Sequence, residues 1–334
     1  MEKTYIYSTF RGMQNRTFLV NAANFRSSLK EMDGIEEADY LLAYCYVDHN
    51  NGVLLEFLSC VTENDGSYHF FEPNNSKSSI VSIENFHDVP LEEIEVNDEK
   101  YAQKIEKINS RIKEEFKETR TDPILDGFRD LYHVDDLLVH FHQFGKTDAV
   151  YRVRVELKDK DFYYGQLLSD AEEFGLKKDS CVKFRISRNE NDLSTPDILL
   201  CNLDVNDSVL SRVDLSIAVF EHNSSIDNLM DLYRILRESD VILACMEGER
   251  DERGLPVANL LNIDDEFYMA VFTSEEHLGL KRNSISWVEL PFSDVIDIIN
   301  HHEREIKAIV LNPFSTQIDF DLKMLDAFEV VYAK

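Results

Sequence analysis

The chain has 334 residues, a formal net charge of −29 and a hydrophobic fraction of 43%. This length predicts two or three domains of roughly 150 residues each, and the apolar content excludes a globally disordered chain. A surface this acidic repels phosphate backbones and anionic lipids, which argues against nucleic acid and membranes as partners. It favours a basic protein partner, although acidity that only keeps a protein soluble is the commoner case.

The five cysteines and the amino terminus point to the cytoplasm. The cysteines are odd in number, form no Cys-x-x-Cys pair and stand among apolar neighbours, as buried thiols of a reducing compartment do. The first residues lack the apolar core of a signal sequence, and no run approaches the roughly 18 apolar residues of a membrane span. We therefore expect a cytoplasmic protein.

Residues 1–144 are predicted to form an α+β domain. Asn-Gly and Asp-Gly turns separate three strand-like runs, which predicts a three-stranded antiparallel meander over residues 40–48, 53–62 and 67–72. A short helix is predicted over residues 24–32. Apolar residues then recur at helical spacing, which predicts one long amphipathic helix over residues 101–116.

Residues 131–144 are rich in histidine, and His133, His140 and His142 raise the possibility of a metal site. Zinc needs about three converging ligands with defined geometry. This spacing matches no metal motif, and isolated histidines in apolar strands are usually hydrogen-bonded core residues. We expect no metal here and keep it as the weaker alternative.

Residues 145–221 are predicted to form a β-rich module. Residues 151–157 alternate between apolar and charged side chains, as in a half-buried strand. This segment is also the least acidic, and its basic residues either line an anion-binding patch or form a solvated strand face, which is the commoner arrangement. They are Arg152, Arg154, Lys177, Lys178, Lys183, Arg185 and Arg188.

Residues 222–334 are predicted to form a mixed sheet with helices packed on it, so that the chain as a whole has a multi-domain α+β fold. Ser224 and Ser225 precede an amphipathic helix, and apolar strand-like runs follow at residues 267–272 and 306–311. Thr273 with Glu276 three residues later predicts a capping box that opens another helix.

The runs Phe272-Thr273-Ser274 and Leu311-Asn312-Pro313, with the elements around them, resemble the N-terminal domain of the SseB family, named for enhanced serine sensitivity. The resemblance covers about residues 224–320. It implies a bacterial, cytosolic protein without an established catalytic site. Such domains also occur in proteins that look like immunity or toxin-neutralising proteins, which would fit the strong acidity.

A binding site is predicted where the two apolar strands end, because ligands of open α/β sheets bind at the carboxyl ends of strands. The candidate residues are Phe272, Thr273, Ser274, His277 and Asn312. The interpretation that we favour is nevertheless structural, and the binding site is kept as the alternative: Ser274 or Thr273 would accept hydrogen bonds from the first amides of a helix, and Pro313 would end a strand.

The chain has no Gly-x-Ser-x-Gly, P-loop, Gly-x-Gly-x-x-Gly or His-Glu-x-x-His motif. We therefore expect no cofactor, no assignable catalytic residue and a non-enzymatic interaction protein, of immunity or stress-tolerance type, that binds a basic protein through its acidic surface. The alternative is a small-ligand-binding protein or an enzyme with its site at Thr273, Ser274 and Asn312.

Overall fold

A computed structural model describes residues 4–72, 79–188, 196–205, 207–282, 284–315 and 317–332. The chain forms two compact units. Unit 1 comprises Met1–Lys178 and Phe184–Asn202, and unit 2 comprises Asp179–Lys183 and Leu203–Lys334. Helices and mixed or antiparallel sheets occur together, which confirms the predicted multi-domain α+β fold. The three-segment division at residues 144/145 and 221/222 stays a prediction.

The first sheet of unit 1 has seven strands in the order β1-β7-β2-β3-β4-β5, with β6 paired to β4. The predicted meander is confirmed as β3, β4 and β5, and Gly52 and Gly66 take φ angles of 76° and 77° in its turns. The strands are β1 (Thr4–Tyr5), β2 (Arg16–Asn21), β3 (Tyr40–Asp48), β4 (Gly52–Asn64), β5 (Ser67–Phe71), β6 (Ser79–Ser82) and β7 (Leu91–Glu93).

Two helices follow the first sheet, α1 (Glu99–Asn109) and α2 (Glu114–Thr121). The single helix predicted over residues 101–116 is wrong, because the chain leaves the helix at Asn109. Asn and Ser side chains compete for backbone partners and favour helix ends. Asn109 Oδ1 accepts a hydrogen bond from the Tyr44 hydroxyl at 2.9 Å, and Ser110 Oγ donates to the Lys107 carbonyl at 2.9 Å.

Residues 24–32 are also not the predicted α-helix. A short 3-10 helix, Ala22–Asn24, is followed by turns. The apolar residues that produced the helical spacing, Phe25, Leu29 and Met32, are all buried in the core beneath the first sheet. The prediction identified core positions correctly but assigned them the wrong local structure, since successive turns can bury the same side chains.

The second sheet has the order β10-β9-β8-β12-β11, and β10 also pairs with β11, which closes the ring of strands. Its interior is apolar: Val153, Val155 and Leu157 alternate with polar residues along β9, as predicted. The strands are β8 (Asp136–His142), β9 (Ala149–Asp159), β10 (Phe162–Leu167), β11 (Cys181–Ser187) and β12 (Ile198–Asn202).

Five of the seven basic residues of this region form ion pairs with carboxylates. Arg154 forms a two-point ion pair with Asp136 in which Nε lies 2.7 Å from Oδ1. Arg152 lies 2.9 Å from Asp130. Lys177, Lys183 and Arg188 also have acidic partners, at 3.3, 2.8 and 3.5 Å. Cations that are already paired favour a solvated strand face over an anion-binding patch.

In unit 2, β13 (Val209–Leu210) pairs with Cys181 and Val182, and a seven-stranded sheet follows in the order β15-β14-β17-β19-β20. β16 pairs with β17, and β18 pairs with β14. β17 and β19 are parallel, whereas the other described pairs of this sheet are antiparallel. The strands are β14 (Asp240–Arg250), β15 (Pro256–Ala258), β16 (Leu260–Ile263), β17 (Glu266–Phe272), β18 (Trp287–Pro291), β19 (Ile306–Leu311) and β20 (Ile318–Asp321).

Helices cover one face of this sheet, as predicted for a mixed sheet. Tyr233 and Phe292 are fully buried there against Met269 and Ile309. Ser225 caps its helix as predicted, its Oγ accepting from the Asn228 amide at 3.2 Å. The helices are α3 (Arg212–His222), α4 (Ile226–Arg237), α5 (Phe292–Asn300) and α6 (Leu322–Tyr332).

Helix α3 lies within the segment predicted to be β-rich, so that prediction is wrong for residues 212–221. Ser211 is the N-cap of α3 and bonds twice to Asp214: the Asp214 amide donates to Ser211 Oγ at 3.0 Å, and Ser211 Oγ donates to the Asp214 carboxylate at 2.8 Å. The spacing Ser-x-x-Asp was available in the sequence and would have indicated this helix start.

A buried polar cluster in unit 1 joins α2 to the strands around it. Asp135, only 1% exposed, accepts from Arg120 Nε at 3.0 Å and faces His49 Nδ1 at 2.9 Å. His49 Nε2 faces Glu156 at 3.1 Å, and the ring stacks on Phe116 with centroids 3.7 Å apart. Burial alone would lower the pKa of His49, but the hydrogen bonds with the two carboxylates outweigh it and raise the pKa to about 9.

This raised pKa predicts a pH-dependent stability. The folded chain binds the proton of His49 more tightly than the unfolded chain does. The protonated side chain therefore stabilises the fold fully below the unfolded pKa of about 6.5, and this stabilisation is lost once the pH exceeds the folded pKa of about 9. The stabilisation of wild type over His49→Gln should therefore shrink by roughly 3 kcal/mol between pH 6 and pH 10. Urea unfolding of both proteins across this range measures it.

The free energy of unfolding of wild type is compared with that of His49→Gln at each pH, because other groups also titrate in this range and their contribution cancels in the difference. In His49→Gln, Asp135 keeps its two hydrogen bonds from Arg120, so the variant retains a paired carboxylate. A difference in free energy of unfolding that does not change with pH would show that folding leaves the pKa of His49 unchanged.

Candidate functional site

The carboxyl ends of β17 and β19 meet because these strands are parallel and adjacent, with Val271 in register with Leu311. Thr273 follows β17, and Asn312 follows β19. The Thr273 amide donates to Asn312 Oδ1 at 3.0 Å, and Asn312 Nδ2 donates to Thr273 Oγ1 at 3.0 Å. The structure thus brings two of the candidate residues into direct contact.

Asn312 is fully buried and takes a φ of 46°, in the left-handed region that Asn tolerates better than most residues. Its amide donates to the Val271 carbonyl at 2.8 Å, and its carbonyl accepts from the Ser315 amide at 2.9 Å. The side chain therefore holds β17, while the backbone turns the chain so that Ser315 comes back over the strand ends.

His277 extends this contact to two further residues, Asp214 and Ser315. It lies in the 3-10 segment Glu275–Lys281, which has a kink at Gly279 and is anchored by the buried Leu278. His277 Nε2 lies 3.1 Å from Asp214 Oδ1, and Nδ1 lies 2.8 Å from Ser315 Oγ. Thr273 Oγ1 donates to the same Asp214 oxygen at 2.5 Å. We call Asp214, Thr273, His277, Asn312 and Ser315 the strand-end cluster.

Asp214 is the acceptor on which the cluster converges. Its side chain is 18% exposed, and burial alone would raise its pKa. Hydrogen bonds from His277, Thr273 and Ser211 outweigh burial and hold the pKa below its ordinary value. The carboxylate is therefore ionised at neutral pH and accepts from all three partners.

The other two candidate residues have structural positions. Phe272 is 1% exposed and packs against Phe314, with ring centroids 5.6 Å apart. It therefore contacts the residue that precedes Ser315 of the cluster. Ser274 is the N-cap of the 3-10 helix but makes no side-chain capping bond. The predicted capping box from Thr273 is wrong, because the helical turn begins at Glu275 and its N-cap is Ser274 instead of Thr273; the side chain of Glu276 lies outside the described residues.

Asp214 and Ser315 were not among the predicted site residues. Asp214 precedes β17 by some 50 residues of chain, and only the fold brings it to the strand ends. The signal for Asp214 was its position three residues after Ser211, a helix N-cap residue type. Ser315 carried no signal of its own, because a serine four residues after a strand is an ordinary turn residue.

The cluster suits hydrogen bonding and proton transfer better than metal binding. Among the described residues, no group of three or more His, Cys, Asp or Glu side chains is placed to hold a metal ion. Of the histidines considered for zinc, His142 lies 2.8 Å from Asp148. Over the same described parts of the chain, no helix is long and apolar enough to cross a membrane.

Comparison with known proteins identifies one part of the chain. Residues 216–326 match the family model of the SseB protein N-terminal domain, which confirms the resemblance seen in the sequence. No curated protein and no solved structure matches the chain. Thr273, His277, Asn312 and Ser315 lie inside the matched segment, whereas Asp214 lies two residues before it.

The buried contacts of Asn312 predict a large loss of stability on its removal. Asn312→Gly keeps the left-handed backbone accessible but removes both hydrogen bonds to Thr273, which should cost about 2–3 kcal/mol. Asn312→Ala adds backbone strain and should cost about 1 kcal/mol more. Urea unfolding measures both variants.

Asn15→Gly is the matched control. Asn15 has a similar φ of 61° but is exposed, and it accepts one hydrogen bond, from Tyr44 at 3.2 Å. Its loss should cost less than about 1 kcal/mol. Equal costs at the two positions would mean that the buried contacts of Asn312 contribute nothing beyond its backbone conformation.

Proposed function

We propose that the protein is a cytosolic bacterial interaction protein, of immunity or stress-tolerance type, that binds a basic protein partner through its acidic surface. The observation that carries this proposal is the charge of −29 and its distribution over two folded units. Unit 1 has 37 Asp and Glu against 23 Lys and Arg, and the shorter unit 2 has 27 against 12.

Charge on folded units acts differently from charge on a tail. The carboxylates keep fixed positions, so their summed field has a fixed shape that attracts and orients a basic partner. A long-range field of this kind accelerates association more than it slows dissociation. The expected complex therefore forms fast and weakens as salt increases.

The geometry of unit 2 supports one surface in particular. The starts of β17 and β19 lie together, since Phe267 is in register with Ile306. Exposed carboxylates stand just before both strands, and we call them the acidic edge: Asp264, Asp265, Glu303 and Glu305. The acidic edge lies at the opposite end of the parallel pair from the strand-end cluster.

Neutralising the acidic edge tests this proposal. The variant Asp264→Asn/Asp265→Asn/Glu303→Gln/Glu305→Gln keeps side-chain shape, and Asn accommodates the positive φ of residues 264 and 265. A basic partner is first captured from bacterial lysate and purified, and its affinity is then measured by surface plasmon resonance. We expect the variant to bind about tenfold more weakly, chiefly through slower association.

The control neutralises four exposed carboxylates of unit 1, in the variant Glu31→Gln/Glu37→Gln/Asp65→Asn/Asp88→Asn. It should change the affinity less than twofold. Raising salt from about 0.05 M to 0.3 M should weaken the wild-type complex strongly. A complex that is insensitive to salt, or equal losses in the two variants, would contradict the proposal.

A second candidate function is supported by the strand-end cluster, which we propose as a site for a small ligand. Its supporting observation is an ionised, mostly buried carboxylate that aligns an imidazole toward an exposed hydroxyl, Ser315. Perturbed titratable groups that converge with hydroxyl and amide groups are typical of ligand sites.

This second candidate predicts ligand-dependent changes at the cluster. In a fragment library observed by NMR, a bound compound should shift the backbone amides of Thr273, His277 and Ser315 together. His277→Asn should weaken the same compound about tenfold or more, because a charge-coupled hydrogen bond contributes roughly 1.5–3 kcal/mol. Shifts confined to other parts of unit 2 would remove the candidate site.

A further inference from the structure

We propose that Ser315 is a nucleophile, that His277 is its general base, and that the site acts on small neutral carboxylic esters. This proposal rests on the second candidate function, in which the strand-end cluster receives a small ligand. It assigns a reaction to that site that its sequence motifs do not indicate, since the chain lacks Gly-x-Ser-x-Gly.

The direction of each hydrogen bond in the cluster follows from the ionised Asp214. A carboxylate only accepts, so His277 Nε2, at 3.1 Å, carries the proton and donates to it. In the neutral imidazole, Nδ1 then has a lone pair, and Ser315 Oγ, at 2.8 Å, donates to that lone pair. The geometry thus fixes the tautomer in which His277 takes a proton from Ser315.

Asn312 and Thr273 reinforce this direction from the other side. Asn312 Nδ2 donates to Thr273 Oγ1, whose hydroxyl donates to Asp214. Two series of hydrogen bonds, one from Ser315 through His277 and one from Asn312 through Thr273, therefore end on the Asp214 carboxylate. Hydrogen bonds connected in this way polarise one another, and Asp214 acts as a positioning residue for the imidazole.

Exposure changes along the cluster as a nucleophilic site requires. Asn312 is fully buried, Asp214 and His277 are 18% and 24% exposed, and Ser315 is exposed. The nucleophile can reach a substrate, while the residues that orient the base are sheltered. This arrangement of nucleophile, base and orienting carboxylate is found in hydrolases on unrelated folds and is recognised by geometry.

The substrate class follows from the surroundings of Ser315. The preceding residue, Phe314, is 48% exposed and rests on Phe272, so it offers an apolar surface beside the hydroxyl. The strongly negative chain repels anionic substrates such as phosphate esters. A neutral ester with an apolar acyl group fits both features.

The reaction needs only the ester and water. Ser315 Oγ bonds to the carbonyl carbon while its proton moves to His277 Nδ1, and the alcohol leaves with that proton. Water then attacks the acyl-enzyme, loses a proton to His277 and releases the carboxylic acid, which restores the Ser315 hydroxyl. The net change is ester and water to acid and alcohol.

A biotinylated alkyl fluorophosphonate tests the nucleophile in the full chain. Attack by Ser315 forms an Oγ–P bond and expels fluoride, while the hydroxyl proton passes to His277. We expect one adduct, placed at Ser315 by peptide mass spectrometry, and none in Ser315→Ala. Ser224→Ala is the matched control, because Ser224 is also exposed but its hydroxyl donates to the Phe220 carbonyl.

Variants of the other two residues separate catalysis from structure. His277→Asn should slow labelling about 100-fold or more, the usual contribution of a general base. Asp214→Asn should also slow it strongly, and Asp214→Glu should restore part of the rate because it restores a carboxylate. Circular dichroism confirms folding in each case.

A cysteine pair gives a second measurement that does not depend on phosphonate chemistry. The five native cysteines are buried, so an introduced thiol dominates the reaction with iodoacetamide. Ser315→Cys should be alkylated about tenfold faster than Ser224→Cys, because the neighbouring imidazole favours the thiolate. Adding His277→Asn should remove the difference.

Three results would overturn the proposal. Equal labelling of wild type and Ser315→Ala would show that Ser315 is not the nucleophile. A rate unchanged by His277→Asn would show that the contact between imidazole and hydroxyl only holds the turn over residues 312–315. Fragments that shift the cluster amides without any labelling of Ser315 would leave the ligand site standing and remove only the reaction.

Discussion

The parallel pairing of β17 with β19 determines the arrangement of polar groups in unit 2. Parallel neighbours end at the same edge of a sheet, so Thr273 and Asn312 meet there. Their starts also lie together at the opposite edge, where exposed carboxylates precede both strands. The strand-end cluster therefore lies at one end of the β17–β19 pair, and the acidic edge lies at the other end. The two proposed functions use these opposite ends.

The chain handles its many carboxylates in two different ways. Asp135 and Asp214 are mostly buried, and each converges with a histidine and further donors that keep it ionised. A buried carboxylate without such donors would protonate or destabilise the fold. Most of the other Asp and Glu side chains stay at the surface, where water solvates the carboxylate and donor side chains are not needed. Their negative charge is then available for steering a partner.

Local patterns predicted some elements correctly and others wrongly for identifiable reasons. The meander followed from Asn51-Gly52 and Asp65-Gly66, because few other residue pairs form such tight turns. The single helix over residues 101–116 failed at Asn109, where a contact with Tyr44, 65 residues away, accompanies the helix end. Helix α3 was missed although Ser211 is a favourable N-cap residue and bonds to Asp214 three residues later.

The sequence by itself determined the α+β class, the meander, the strands β17 and β19 and the resemblance of its last third to the SseB N-terminal domain. These depend on periodicity, turn residues and short motifs, which are local. Only the tertiary structure decided that Asp214 and Ser315 join His277, and that His49 lies between two carboxylates. Such groups are far apart in the chain, and hydrogen bonds between them depend on how strands and helices pack, which no local spacing encodes.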